Sequence, residues 1–164
     1  MKFKPVPVPP DGFETVERAR RAVPLVPDSE ADCCARLVGC LDLPSRDAAR
    51  TWLTFLRALE LAAKTASGYR RTDREPTVDG CREALLAHVF AADTLSDTLR
   101  TAETPLTVDE TFAAVRTRVP TWERHRNRSW TEVWRERVAH LLGWLTLLGG
   151  AERVDDDPAA YVAR

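Results

Sequence analysis

The feature that most constrains this chain is an internal repeat. Shifting the sequence on itself by 89 residues lays Leu53, Leu56 and Leu59 over Leu142, Leu145 and Leu148, and Ala62 and Lys64 over Ala151 and Arg153. In each copy a helical leucine ladder runs into a segment with hairpin character. A match of this kind argues for one supersecondary unit used twice, and the order helix, helix, long capped helix, two-stranded hairpin is legible in both copies.

The first copy can be read residue by residue. Phe13, Val16, Ala19 and Val23 mark a short amphipathic helix closed by Pro24, and Asp28 or Ser29 opens a second that carries Cys34, Leu37 and Val38. After Asp42-Leu43-Pro44, Ser45 is placed to cap a third helix reaching about Leu59, with Ala49, Trp52, Leu53, Leu56 and Leu59 spaced by three and four. Leu61-Ala62-Ala63-Lys64 and Tyr69-Arg70-Arg71-Thr72 then flank Thr65-Ala66-Ser67-Gly68, a hairpin signal with glycine at the turn. Ahead of all this, Pro5, Pro7, Pro9 and Pro10 make residues 1–12 an extended arm that drapes over the surface.

The polar stretch Asp73 to Gly80 reads as a hinge, giving a first domain over 13–75 and a second over 76–164. Past the hinge, Cys81, Leu85, His88, Ala92, Leu95 and Leu99 alternate by four and three, which predicts one helix from Gly80 to Ala102. Such a helix serves as a core or bridging element, with His88 in its seam, or as a dimerisation surface. Thr107-x-x-Glu110 is a capping box for a helix to Val119, and Ser129-x-x-Glu132 reads as a second box. The helix it opens carries Trp134, Val138, Leu141, Leu142, Leu145 and Leu148 and stops at Gly149-Gly150. Its added Trp144 and Leu147 widen the apolar band and suggest contact on two sides, so this C-terminal helix is a second candidate surface for a homodimer or protein partner. Strands near Glu152 to Val154 and Tyr161 to Ala163 complete the second hairpin.

The fold class is therefore mainly α with small β-hairpins, arranged as two tandem domains. The run from Ser45-Arg46 through Trp52-Leu53-x-x-Leu56-x-x-Leu59-x-Leu61 into a hairpin resembles the winged helix-turn-helix of small bacterial and archaeal transcription regulators. Residues 13–72 carry the resemblance, with Ala62 to Thr72 as the wing. Glu60 departs from it, standing where that family often has glycine at the helix end. The second copy resembles a divergent winged helix with an insertion, Pro120 to Ser129, in place of a tight turn. The whole chain is similar to uncharacterised archaeal proteins built from two such domains. What the resemblance implies is two tandem winged-helix domains and a double-stranded DNA partner read by the first.

If Ser45 to Leu59 is a recognition helix, a rotation of 100° per residue leaves Asp47, Arg50, Thr51, Thr54 and Arg57 opposite the apolar stripe, with Arg46 at its edge. Arginine and threonine there suit base edges and phosphates. The candidate DNA contacts are Ser45, Arg46, Arg50, Thr51 and Arg57 on the helix and Lys64, Arg70 and Arg71 on the wing. A second basic and aromatic surface is Trp122, Arg124, Arg126, Arg128, Trp130 and Arg135, a mixture that holds phosphate-bearing ligands by stacking and charge, or else anchors a long loop to the core. The second wing carries Asp155, Asp156 and Asp157, which phosphates would repel.

Charge frames this reading without deciding it. The 164 residues hold 24 Lys and Arg against 25 Asp and Glu, a net charge of -1. Split at the hinge, residues 1–75 carry 13 cations and 11 anions while 76–164 carry 11 and 14, which shifts the DNA reading to the first domain. The N-terminus lacks the apolar core of a signal peptide and no apolar run spans a bilayer, so a cytoplasmic protein with no membrane partner is expected. Cys33, Cys34, Cys40 and Cys81 lack the paired spacing of zinc ribbons and read as reduced thiols or, less simply, as a metal or redox site. His88, His125 and His140 form no metal or nucleophile motif, so neither an enzyme nor a cofactor is expected. The alternative to DNA binding is a non-enzymatic interaction scaffold, an accessory subunit of a chromosome-segregation or transcription complex.

Overall fold

A computed structural model describes residues 2–164. The chain forms two compact units, Met1–Val89 and Phe90–Arg164. The first contains α1 (Glu14–Ala22), α2 (Glu30–Leu41), α3 (Arg46–Ala58), β1 (Ala62–Thr65), β2 (Gly68–Arg71) and α4 (Val78–His88). The second contains α5 (Ala92–Thr101), β3 (Leu106–Thr107), α6 (Val108–Arg116), α7 (Thr121–Arg126), α8 (Trp130–Leu147), β4 (Ala151–Asp156) and β5 (Ala159–Ala163).

The first unit is organised around α3. Ser45 accepts a hydrogen bond from the Ala48 amide at 3.1 Å and so caps the helix, as the sequence predicts. The buried stripe is wider than the leucine ladder, because Phe55 and Ala58 join Ala49, Trp52, Leu53 and Leu56. It packs on α2, which buries Cys33, Cys34 and Leu37. β1 and β2 form a hairpin that a two-residue turn, Ala66-Ser67, closes. Asp28 adds a third short rung: its amide donates to Tyr69 O at 3.0 Å and its carbonyl accepts from Tyr69 N at 2.8 Å.

The second unit repeats this plan. A three-stranded antiparallel sheet has the order β3-β5-β4, with Leu106 opposite Tyr161. Position by position, α5, β3, α6, α8 and the β4-β5 hairpin stand for α1, the Asp28 rung, α2, α3 and the β1-β2 hairpin. Thr107 makes the complete capping box with Glu110. Ser129 does not make the second box: its side chain caps nothing, and its amide instead donates to Asn127 Oδ1 at 2.9 Å. The insertion before it is no open loop but holds α7, which makes the turn between α6 and α8 a helix.

The ends of α3 and α8 show how close the repeat is. Glu60 N donates to Arg57 O at 3.0 Å and Leu61 N to Leu56 O at 2.9 Å, and Gly149 N to Thr146 O at 3.2 Å and Gly150 N to Leu145 O at 2.8 Å. Both helices thus stop through the same pair of bonds, which needs a left-handed residue just past the end. Gly149 supplies it at φ 77°, and Glu60 at φ 64°. A non-glycine residue there costs about 1 kcal/mol. The departure at Glu60 therefore changes the residue and leaves the geometry intact. Its carboxylate is engaged by Arg74 and lies 3.3 Å from His88 Nε2.

A further sequence expectation fails. The predicted helix from Gly80 to Ala102 is broken: α4 ends at His88, Val89 is extended, and Ala91 is left-handed at φ 69° before α5 begins. The cause lies at the N-terminus, because Phe3 N donates to His88 O at 2.7 Å and Phe3 bridges Val89 in parallel. The heptad spacing was two separate stripes: Cys81 and Leu85 are buried in the first unit, Leu95 and Leu99 in the second. A continuous dimerisation seam through 80–102 is thereby removed, and the division of the chain falls at Val89/Phe90, past the Asp73 to Gly80 hinge. His88 is not a core residue either; it is half-exposed beside Glu60.

Candidate nucleic-acid interface

α2, the turn at Asp42 and α3 make a helix-turn-helix, with Asp42 left-handed at φ 53° to reverse the chain. The outer face of α3 presents Arg46, Asp47 and Arg50 as exposed side chains, with Thr51, Thr54 and Arg57 half-buried behind them. Ser45 spends its hydroxyl on the cap, and Thr51 donates its own to Asp47 O at 3.1 Å.

The cations of this face have different surroundings. Arg50 Nε donates to Glu30 Oε1 at 2.9 Å and its Nη1 to Asp47 Oδ1 at 3.3 Å, so its charge is balanced locally. The Arg50 guanidinium is also the first cause of Glu30's carboxyl lying below the usual glutamate range, ahead of the opposing desolvation and the Tyr69 hydroxyl bond. Arg46 is exposed at the start of α3. Arg57 meets rings rather than a carboxylate, its guanidinium lying 5.3 Å from the centre of Phe3 and 5.8 Å from that of Tyr69. Lys64 lies 5.8 Å from the same Tyr69 ring.

The wing does not present its three cations together. Side chains directly opposite in an antiparallel pair share a face, and the faces alternate along each strand. Lys64 is opposite Tyr69 and Ala62 opposite Arg71, so these lie on the face toward the helices; Arg70, opposite Ala63, lies on the other. Arg71 is further committed to the backbone, with Nε donating to Val23 O at 3.0 Å and Nη2 to Arg21 O at 2.8 Å. Burial, then the neighbouring Arg20 and Arg21, lower its pKa. It secures the end of α1. Arg70 Nη1 donates to Arg71 O at 3.1 Å.

The sequence predicts the N-terminal arm as an extended surface segment, but not its place beside α3. A cleft of about 450 Å³ is lined by Lys2, Phe3, Lys4, Pro5, Thr54 and Arg57, so two N-terminal lysines lie along the C-terminal half of the α3 face. The alternating prolines announce an extended segment, but where it docks depends on Phe3 pairing with Val89, a contact no local pattern encodes.

In the second unit the tryptophans that contact the insertion are Trp130 and Trp134, both on α8. Trp134 Nε1 donates to Glu123 Oε2 at 3.1 Å, and its ring packs edge-on to Phe90 with centres 5.3 Å apart. Arg124 and Arg116 lie 4.9 Å and 5.7 Å from the Trp130 ring, and Arg137 lies 4.7 Å from Trp134. Arg135 is paired with Asp109. Arg126 and Arg128 remain exposed on the surface, and Trp122 is 57% exposed. Of the six residues forecast there, Trp130 is the shared floor for Arg124 and Arg116, and Arg135 is directed to a carboxylate. The second wing exposes Glu152, Arg153, Asp155, Asp156 and Asp157.

Among the described residues no helix is long and apolar enough to cross a membrane, and no three His, Cys, Asp or Glu side chains are grouped so as to hold a metal ion. A helix-turn-helix followed by an antiparallel hairpin is a winged helix, and this chain holds two. Residues 1–163 match the family described as the Halobacterial double winged helix domain, and the chain belongs to that family. No curated protein and no solved structure matches it.

Proposed function

We propose that this chain is a non-enzymatic, cytoplasmic protein that binds double-stranded DNA through its first unit and acts as a transcription regulator. The observation that carries the reading is a set of cations on the first winged helix: exposed Arg46 at the start of α3, then Arg57 of α3 and Lys64 of the wing, both near the Tyr69 ring. The second unit, whose wing carries aspartates, has the charge to avoid phosphates, and its part is to hold a protein partner or a second copy. Anisotropy titration of a labelled mixed-sequence duplex at low salt tests the reading. Binding that weakens steeply with added salt is expected, and no binding at low salt would overturn it.

One observation favours a scaffold instead. Arg50 is balanced by Glu30 and Asp47, and Leu25 and Val26 are 66% and 76% exposed on the same unit. A protein-binding accessory subunit would use that apolar pair. In that case Leu25→Ser with Val26→Ser abolishes partner capture, while duplex DNA is ignored by the unaltered chain.

A further inference from the structure

The cleft between the arm and α3 combines features that a mere crevice lacks. Among the described residues its lining includes Lys2, Lys4 and Arg57 and no carboxylate, together with the Thr54 hydroxyl and the apolar surfaces of Phe3 and Pro5. The Arg57 guanidinium lies 5.3 Å from the centre of the Phe3 ring and 5.8 Å from that of Tyr69, contacts that restrict it before a ligand arrives. The arm itself is fixed by the Phe3 to His88 backbone bond at 2.7 Å and by the bridge to Val89. At about 450 Å³ the space is in the range that holds small ligands, and a mostly apolar wall with a few convergent polar groups is how such sites are built.

We propose that this cleft binds a phosphate ester, with Arg57 and Lys2 on the phosphate, Thr54 donating to it, and Phe3 and Pro5 against its organic part. Two sources carry that chemistry: the backbone of a duplex lying along α3, or a free nucleotide. With the duplex as source the proposal rests on the DNA reading above; with the free nucleotide it stands alone. It also gives the arm a task, since the site exists only while Phe3 is paired to Val89.

Two measurements on the full chain test it. Duplex affinity is compared for the unaltered chain, Lys2→Glu and Arg57→Gln, and adenosine 5′-monophosphate is titrated while backbone amide NMR shifts are followed. Because Arg57 contacts the Phe3 and Tyr69 rings, Lys2→Glu is the variant that keeps the fold out of question. A fall in duplex affinity of about fivefold or more with Lys2→Glu, and a salt slope reduced by about one, supports the site with DNA as its source. Shifts confined to Phe3, Lys4, Thr54 and Arg57 on adding the nucleotide support it with the free ester as source, whether or not the duplex binds. If the duplex binds, is indifferent to both variants, and the nucleotide moves none of those amides, the cleft proposal is overturned and the DNA reading survives. If neither ligand binds, both fall.

Discussion

Glu30 Oε1 accepts from Arg50 Nε at 2.9 Å while its Oε2 accepts from the Tyr69 hydroxyl at 3.3 Å, so one carboxylate joins α2, the outer face of α3 and the wing. The same bond that organises the face also offsets its most central cation. Replacing Glu30 by Gln keeps the shape and removes the negative charge. Duplex affinity is expected to rise several-fold at low salt, with a steeper salt dependence, as Arg50 becomes available to phosphate. Unchanged or weaker binding in an anisotropy titration would show that Arg50 faces no phosphate.

The same substitution has a pH signature. The folded-state pKa of Glu30 lies below its ordinary value, with the Arg50 bond as its first cause, so its contribution to stability is fully present above the unfolded pKa. It is lost as pH falls through the folded value. The urea midpoint of the unaltered chain should therefore exceed that of Glu30→Gln near neutrality, and the two should converge in acid. A gap that persists below the folded pKa would assign the difference to packing.

Arg46 and Arg71 separate binding from stability. Arg46 is exposed at the start of α3, so Arg46→Ala should leave the melting temperature alone and lower the salt slope of duplex binding by about one. Arg71 holds the Val23 and Arg21 carbonyls, and Arg71→Ala should cost about 1–3 kcal/mol of unfolding free energy through lost charged hydrogen bonds. Thermal melts beside titrations check both, and equal loss of affinity with no loss of stability in Arg71→Ala would return that residue to the interface.

The difference between these two arginines shows what a sequence can carry. Periodicity places Arg46, Arg50 and Arg57 outside the apolar stripe because that is a property of one helix. The N-cap at Ser45, the ladder, the hairpin and the box at Thr107 are local in the same sense, and all are found in the structure. What periodicity does not carry is the partner: Glu30 lies 20 residues from Arg50, and Arg71 lies 48 from Val23. The predicted helix over Gly80 to Ala102 fails for the same reason. Two adjacent helices can share a heptad phase by coincidence, and the break at Val89 is made by Phe3 from the other end of the unit.

Gly68 gives a test of how the wing is attached. Its φ of 126° excludes an ordinary side chain, and a Cβ there would meet the Asp28 carbonyl, 2.7 Å from its carbon. Both constraints come from the backbone, so neither yields to a rotamer change. Gly68→Ala should cost about 1–3 kcal/mol and break the Asp28–Tyr69 rung. Faster hydrogen exchange at the Asp28 and Tyr69 amides is the expected readout, and unaltered protection there would mean the rung tolerates displacement.

The four cysteines should divide sharply in reactivity. Cys33, Cys34 and Cys81 are buried and Cys40 is exposed, all as free thiols. Burial pushes the Cys81 thiol up to about 11, and desolvation is likewise the first cause of the raised values at Cys33 and Cys34. Since the thiolate is the nucleophile, Cys81 at pH 8 is held in its unreactive thiol form, and its burial denies a reagent access besides. Cys33 is drawn inward further by weak contacts of its thiol with the Asp28 and Tyr69 carbonyls. Native protein treated briefly with iodoacetamide should therefore gain one adduct, at Cys40, and gain the other three only on unfolding. Rapid native labelling of Cys33 or Cys34 would mean that the α2 face of the helix-turn-helix opens on the timescale of the reaction, and that its packing against α3 and the wing is weaker than the buried positions of these side chains imply.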